Sequence, residues 1–188
     1  LQVPDDPRRE LYEAMRHASI GGGKRLRPLL VMATSGLFNV DESCAIRAAT
    51  AVEALHVYSL IHDDLPCMDD DELKTGALIT ACVEIGAILG RVTNEGRTSL
   101  RGYAHDLGLA FQIADDILDV EGDEEKAGKA LHKDANAGKE TFLSLMGLER
   151  ARDQAQMLVD QAKSHLKTYG EEADLLRAIA EYTIARDR

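Results

Sequence analysis

Over residues 97–120, Leu100, Tyr103, Leu107, Phe111, Ala114 and Leu118 recur every three or four residues. That is the period of an α-helix with one apolar face, and a helix this long must lay that face against something. The chain has no run of alternating polarity, no hairpin signal and no internal repeat, so the partners are helices as well. Residues 8–19 carry Leu11, Met15 and Ala18 at helical spacing. Pro28 suits the first turn of a helix running through "LLVMATSGLF". Asp41 is an N-cap signal for a long helix over about 42–64. Further helices are expected at 75–90, at about 141–168 with a break near Gly147, and at 171–187. "GGGKRLRP" (21–28), "GRVTNEG" and the polar run "EGDEEKAGKALHKDANAGKE" read as loops. The expected fold is all-α in a single domain.

The chain has 188 residues, 45% of them hydrophobic, which is enough for one real core. Its net charge of −11 repels nucleic acid and anionic membrane surfaces. An anionic substrate remains open if cations mediate. Cys44, Cys67 and Cys82 have no C-x-x-C spacing, which suggests a reducing, cytoplasmic setting without structural zinc. All three read as small buried hydrophobes. The longest apolar run, 77–90, is short and contains Glu84, so it is a core helix rather than a membrane span. No signal peptide is visible, although the chain opens on Leu1 rather than Met.

Two clusters of acids stand out. "DDLPCMDDD" crowds Asp63, Asp64, Asp69, Asp70 and Asp71 onto the end of a helix, where they repel one another and oppose the helix dipole. "FQIADDILDVEGD" carries Asp115, Asp116 and Asp119, with Asp115 and Asp119 one turn apart on one face. If the two helices pack side by side, the acids face each other and require a cation between them. Carboxylates, waters and phosphate oxygens are the natural ligands of Mg²⁺. A single cluster would read as a solvated helix end; two, both in apolar helical stretches, favour metal.

Phosphate needs cationic partners besides the metal. Lys24, Arg25 and Arg27 follow three glycines just before a helix, where backbone N–H groups and a guanidinium fork suit an anion. Lys74 and Thr75 open an apolar helix and are candidates to face a diphosphate. Lys126, Lys129, Lys133 and Lys139 lie in the polar loop, some of them ordinary surface charges. His56 sits two turns before Asp63, and a lone His on an apolar helix is more often a core residue than a ligand. His62 adjoins the acids and reads equally as a supporting group or as nothing.

In order along the chain, "GGKRLRP", "LIHDDLPCMDDD", "KTGALI" and "GLAFQIADDILDVEGD" resemble the signature blocks of the trans-isoprenyl diphosphate synthases, and the C-terminal "GKETFLSLMGLERAR" continues the likeness. Within that family the chain looks most like bacterial short-chain farnesyl diphosphate synthases. The resemblance implies an isoprenoid-synthase helical bundle around a central cavity, usually as a homodimer. It implies three Mg²⁺ ions bridging Asp63, Asp69 and Asp115, with Asp64, Asp116 and Asp119 nearby, to an allylic diphosphate (dimethylallyl or geranyl). Lys24, Arg27 and His56 match an isopentenyl diphosphate site. Lys74, Thr75, Gln112 and Lys129 match residues that hold the allylic substrate. In the family a bulky aromatic five residues before the first aspartate limits product length, which gives that role to Tyr58, with Ser59 beside it, and points to a C15 product. Tyr58 reads equally as a core aromatic.

The chain departs from the pattern between about 73 and 74. There "DDDEL" runs straight into "KTGALI", where the family carries an arginine pair and several more helices. The junction has no Gly or Pro linker, and antiparallel neighbours need a short loop. The expectation is that the molecule carries residues there that this sequence omits; a true deletion is expected to be inactive. Rival readings are a geranylgeranyl diphosphate synthase, a metal-dependent phosphohydrolase suggested by "HDD", a class I terpene cyclase, and a silent regulatory subunit of a prenyl synthase. The presence of both aspartate clusters argues against the last three.

Overall fold

The computed structural model describes residues 3–20, 23–63, 73–126 and 146–185, with side chains for all of these except 11, 14, 18, 61–63, 73, 74 and 122–126. Among the described residues all regular structure is helical. In chain order it comprises α1 (Arg9–Ile20), α2 (Leu26–Leu37), α3 (Glu42–Asp63), α4 (Leu73–Leu89), α5 (Arg97–Lys126), α6 (Leu148–His165), a 3₁₀ turn (Glu171–Ala173) and α7 (Asp174–Ala185). The all-α expectation holds, and most described boundaries fall close to those expected, although residues 141–145 of the helix expected over about 141–168 lie outside the described residues. The exception is α5, which continues to Lys126 through a stretch read as loop. "EGDEEK" has no apolar face for periodicity to detect, but Glu and Lys are good helix formers. Glu121 also pairs with Arg152 of α6.

Local chemistry sets the ends. Asp41 Oδ1 accepts the backbone N–H of Cys44 at 3.2 Å and starts α3. Gly147, with φ 78°, makes the break before α6. Arg177 of α7 donates to the carbonyls of Leu166 at 2.9 Å and Tyr169 at 2.7 Å, satisfying oxygens left over beyond the end of α6.

Close approaches fix the register of the bundle. On α4, Gly86 lies against Thr34 and Gly90 against Phe38, so α4 runs parallel to α2. A Cβ at Gly86 would sit 2.6 Å from Thr34 Cβ, which is why the position has none. Gly108 of α5 faces Gly76 of α4, and Glu84 pairs with Arg101 at 2.9 Å, so α5 is antiparallel to α4. Helix α6 returns along α5, with His165 Nε2 3.1 Å from Asp106 Oδ2. The buried Tyr103 hydroxyl donates to the Leu176 carbonyl at 2.7 Å, tying α7 to α5. The core runs through Leu30, Val31, Ile79, Leu100, Leu107 and Val159.

One expectation is corrected. Cys44 is exposed, because it sits in the first turn of α3 on the solvent side; only Cys82 fits the buried reading, and Cys67 lies outside the described residues. Met15 is 42% exposed, because α1 packs only against α3 among the described elements. Helix α4 is apolar around its whole circumference, the signature of a helix covered on all sides, and α3 carries apolar residues on every side among its polar ones. Yet Leu55, Tyr58 and Leu60 on α3, and Ile88 on α4, are more than half exposed.

Candidate active site

These directions gather at one end of the bundle the first turns of α2 and α4, the last turns of α3, the part of α5 beyond Gly108, and the end of α7. A cleft of about 240 Å³ opens there. Its walls are residues 23–27, then Glu53, His56, Val57 and Leu60 of α3, Phe111 of α5, and Tyr182 and Thr183 of α7. The first turn of α2 contributes unpaired N–H groups and the positive end of its dipole.

The basic loop is held in detail. Lys24 is exposed at the mouth. Arg25 precedes α2 in the left-handed region, with φ 51° and ψ 31°, and its guanidinium is ion-paired with Glu53. Arg27 Nη1 donates to His56 Nε2 at 3.1 Å. An arginine only donates, so Nε2 is the acceptor, and the neutral ring's proton is assigned to Nδ1. Burial pushes the His56 pKa down, the charges of Arg27 and Arg25 push the same way, and Glu53 opposes them. Burial also lowers the pKa of Arg27, against the counter-pull of Cys82, Glu53 and Asp115. Burial pushes the Cys82 thiol up to about 12, so it is an inert neighbour rather than a nucleophile. Arg27 Nε is buried and has no hydrogen-bond partner among the described residues. A buried charged donor without an acceptor is costly, and Arg27 carries that cost in the wall of the cleft.

The structure thus brings together Lys24, Arg27 and His56, chosen from the sequence, and adds Glu53, Phe111, Tyr182 and Thr183. Glu53 was within reach of sequence reasoning: it lies three residues before His56, and so on the same helix face. Tyr182 and Thr183 carried no such signal, since only the return of α7 along α5 brings them here.

Asp115 and Asp116 are half-buried on α5, and Asp119 is exposed one turn further on. Asp115 is near enough to Arg27 to act on its charge. Gln112 is half-buried one turn before Asp116. The antiparallel register set by Gly76 and Gly108 carries the start of α4, with Thr75 half-buried in its first turn, toward the level of Gln112. Asp63 ends α3 and Lys74 belongs to the first turn of α4, but their side chains lie outside the described residues, as do Asp64, Asp69 and Lys129 entirely. Among the described residues no group of three or more possible ligands forms a metal site. Asp115, Asp116 and Asp119 offer carboxylate oxygens, and Asp115 lies near the basic cleft, which is chemistry that fits Mg²⁺ together with phosphate. Tyr58 is 61% exposed. The Ser59 hydroxyl donates to the His56 carbonyl at 2.8 Å, and neither Tyr58 nor Ser59 lines the cleft.

Comparison with known proteins bears on this geometry. The polyprenyl synthetase family model matches residues 8–73 and 71–182. Farnesyl diphosphate synthase of Escherichia coli is 32% identical over 270 aligned positions, covering 95% of this chain and 90% of that protein. The chloroplastic geranylgeranyl pyrophosphate synthase 11 of Arabidopsis thaliana is 31% identical, covering 99% and 77% respectively. A solved structure of an FPP/GFPP synthase from Zymomonas mobilis superposes with a TM-score of 0.81 at 41% identity, covering 98% of this chain and 91% of that one. The chain belongs to the polyprenyl synthetase family, a family of prenyltransferases.

Proposed function

We propose that this protein joins isopentenyl diphosphate to an allylic diphosphate, first dimethylallyl and then geranyl, to give farnesyl diphosphate. The carrying observation is the Arg27–His56 pair beside Lys24, lining one cleft at the start of a helix. In this reading Lys24, Arg27 and the first turn of α2 bind the diphosphate of isopentenyl diphosphate. Neutral His56 fixes the plane of the Arg27 fork. Val57, Leu60 and Phe111 line the cleft with apolar surface that keeps water from a cationic allylic intermediate. Lys74, Thr75, Gln112 and Lys129 hold the allylic diphosphate. Asp63, Asp64, Asp69, Asp115, Asp116 and Asp119 would hold three Mg²⁺ ions, which supply charge neutralisation to the departing diphosphate. As the allylic C–O bond breaks, the double bond of isopentenyl diphosphate supplies the electrons of the new C–C bond, and a proton then leaves to the released diphosphate.

The same reading includes a block of residues between about 73 and 74. Two facts support it: the family match falls in two pieces that meet at residues 71–73, and the alignment to the Escherichia coli relative runs over 270 positions against a chain of 188. Exposed apolar side chains such as Ile88 of α4 suit a homodimer, and among the described residues no helix is long and apolar enough to cross a membrane. Incubation with Mg²⁺, labelled isopentenyl diphosphate and geranyl diphosphate, followed by product chromatography, tests the function, with a C15 product expected. Intact mass tests the block: 20.5 kDa means the chain is as written, and a much heavier species means the block is present. A 20.5 kDa protein that turns over at family-like rates would refute the claim that the block is needed.

A further inference from the structure

Glu53 is out of character for its surroundings. Its side chain is only 19% exposed, and it lines a cleft otherwise furnished with Lys24, Arg25, Arg27 and a helix N-terminus. A carboxylate there repels the anion that the rest of the cleft attracts. Its partner explains its presence. Arg25 holds a left-handed backbone conformation that non-glycine residues rarely adopt, and no side chain caps α2 at that point. The Arg25 guanidinium is anchored twice, to the Ser19 carbonyl at 3.0 Å near the end of α1 and to the Glu53 carboxylate on α3. One turn along α3, His56 receives Arg27. Helix α3 therefore presents two acceptors, three residues apart, to two arginines two residues apart.

We propose that Glu53 is a positioning residue. By gripping Arg25 it holds residues 24–27 in the one conformation that aims Lys24 and Arg27 at an anion, and this outweighs the repulsion its own charge exerts. The inference rests on the reading of the cleft as a diphosphate site, and it assigns the shape of that site to a residue outside the anion's own ligands.

The two effects of Glu53 have opposite signs, which makes the test sharp. The probe is inorganic diphosphate, titrated calorimetrically into the full chain with EDTA present so that metal-dependent binding is silent. Glu53→Gln removes the charge and keeps the volume. If Glu53 acts only through its field, the variant binds more tightly; if it positions the loop, binding weakens by about tenfold. Arg25→Lys guards against a folding defect, because it preserves the net charge of the cleft and loses only the two-point anchor. It is expected to weaken binding similarly, and the double variant to be no worse than the weaker single one. Hydrogen exchange at the amides of residues 24–27 is expected to quicken in both variants. Equal or tighter binding by Glu53→Gln, or strict additivity of the two substitutions, overturns the proposal. A wild-type protein that binds no diphosphate overturns the reading of the cleft itself, and the clamp with it.

Discussion

Replacing Arg27 by lysine isolates what the guanidinium does beyond carrying charge. Arg27 spends Nη1 on His56 Nε2 at 3.1 Å and keeps a buried Nε without a partner among the described residues. A lysine places one ammonium where the fork had several directed donors, so it must choose between His56 and the anion. Hydrogen bonds involving a charged group contribute roughly 1.5–3 kcal/mol each. Losing one, with partial loss of a second, costs about 2–4 kcal/mol of substrate binding, or roughly 30- to 1,000-fold.

A second consequence separates this from a general defect. Burial already lowers the pKa of Arg27, which stays charged because it starts so high. The same burial acting on a lysine, whose ordinary value is about 10.4, brings neutralisation within reach of the alkaline assay range. The assay is steady-state kinetics with isopentenyl diphosphate varied at saturating geranyl diphosphate, then the reverse, across alkaline pH. The expected result is a KM for isopentenyl diphosphate raised by about 100-fold and climbing further with pH, with the allylic KM within about twofold of wild type. A variant that loses affinity for the allylic substrate instead, or for neither, refutes the assignment of Arg27.

Gly86→Ala forces a Cβ to within 2.6 Å of Thr34 Cβ and 2.9 Å of Ser35 N, where α2 and α4 touch. The overpacking outweighs the helix-propensity gain of about 1 kcal/mol, for a net loss of about 1–2 kcal/mol in a denaturant titration. The folded His56 pKa lies below its ordinary 6.5, so the stability it lends is present above pH 6.5 and is lost as pH falls through the folded value. Comparing thermal stability of wild type and His56→Gln between pH 7.5 and 5 is expected to give a shallower acid decline in the variant. Tyr58→Ala is expected to lengthen the product beyond C15, read by chromatography; a variant that still stops at farnesyl diphosphate moves the length control away from Tyr58.

The sequence made helices such as α5 legible because they bury a stripe at helical spacing, and the α5 stripe of Leu100, Tyr103 and Leu107 is fully buried. It failed where helix exists without a stripe, at the end of α5, and where a stripe exists without cover, at Met15. The basic half of the site was legible because glycines, cations and a helix start adjoin along the chain. Arg25 illustrates the limit: its charge was visible, but its role depends on Glu53, 28 positions away, and on Ser19. No local pattern encodes a partner supplied by the packing of α3 on α2. Tyr182 is the extreme case, brought to the cleft solely by the direction of α7.

The uncovered surfaces sharpen the question of the junction. A helix that is apolar all round, such as α4, is stable only with neighbours on every side, and α3 also exposes apolar side chains. Both are open, but at different places. Leu55 and Tyr58 share a face toward the end of α3, while Ile88 lies at the far end of α4. Additional helices entering at residues 73–74 would begin beside the end of α3, so their first contacts would fall on Leu55 and Tyr58. Ile88 lies a full helix length away and calls for either a return of the same block or a second protein molecule. Under this argument, restoring such a block protects the Tyr58 face first, and Tyr58 then turns from a surface aromatic into the wall of a cavity. The chain-length role expected of Tyr58 and the block between 73 and 74 therefore stand or fall together.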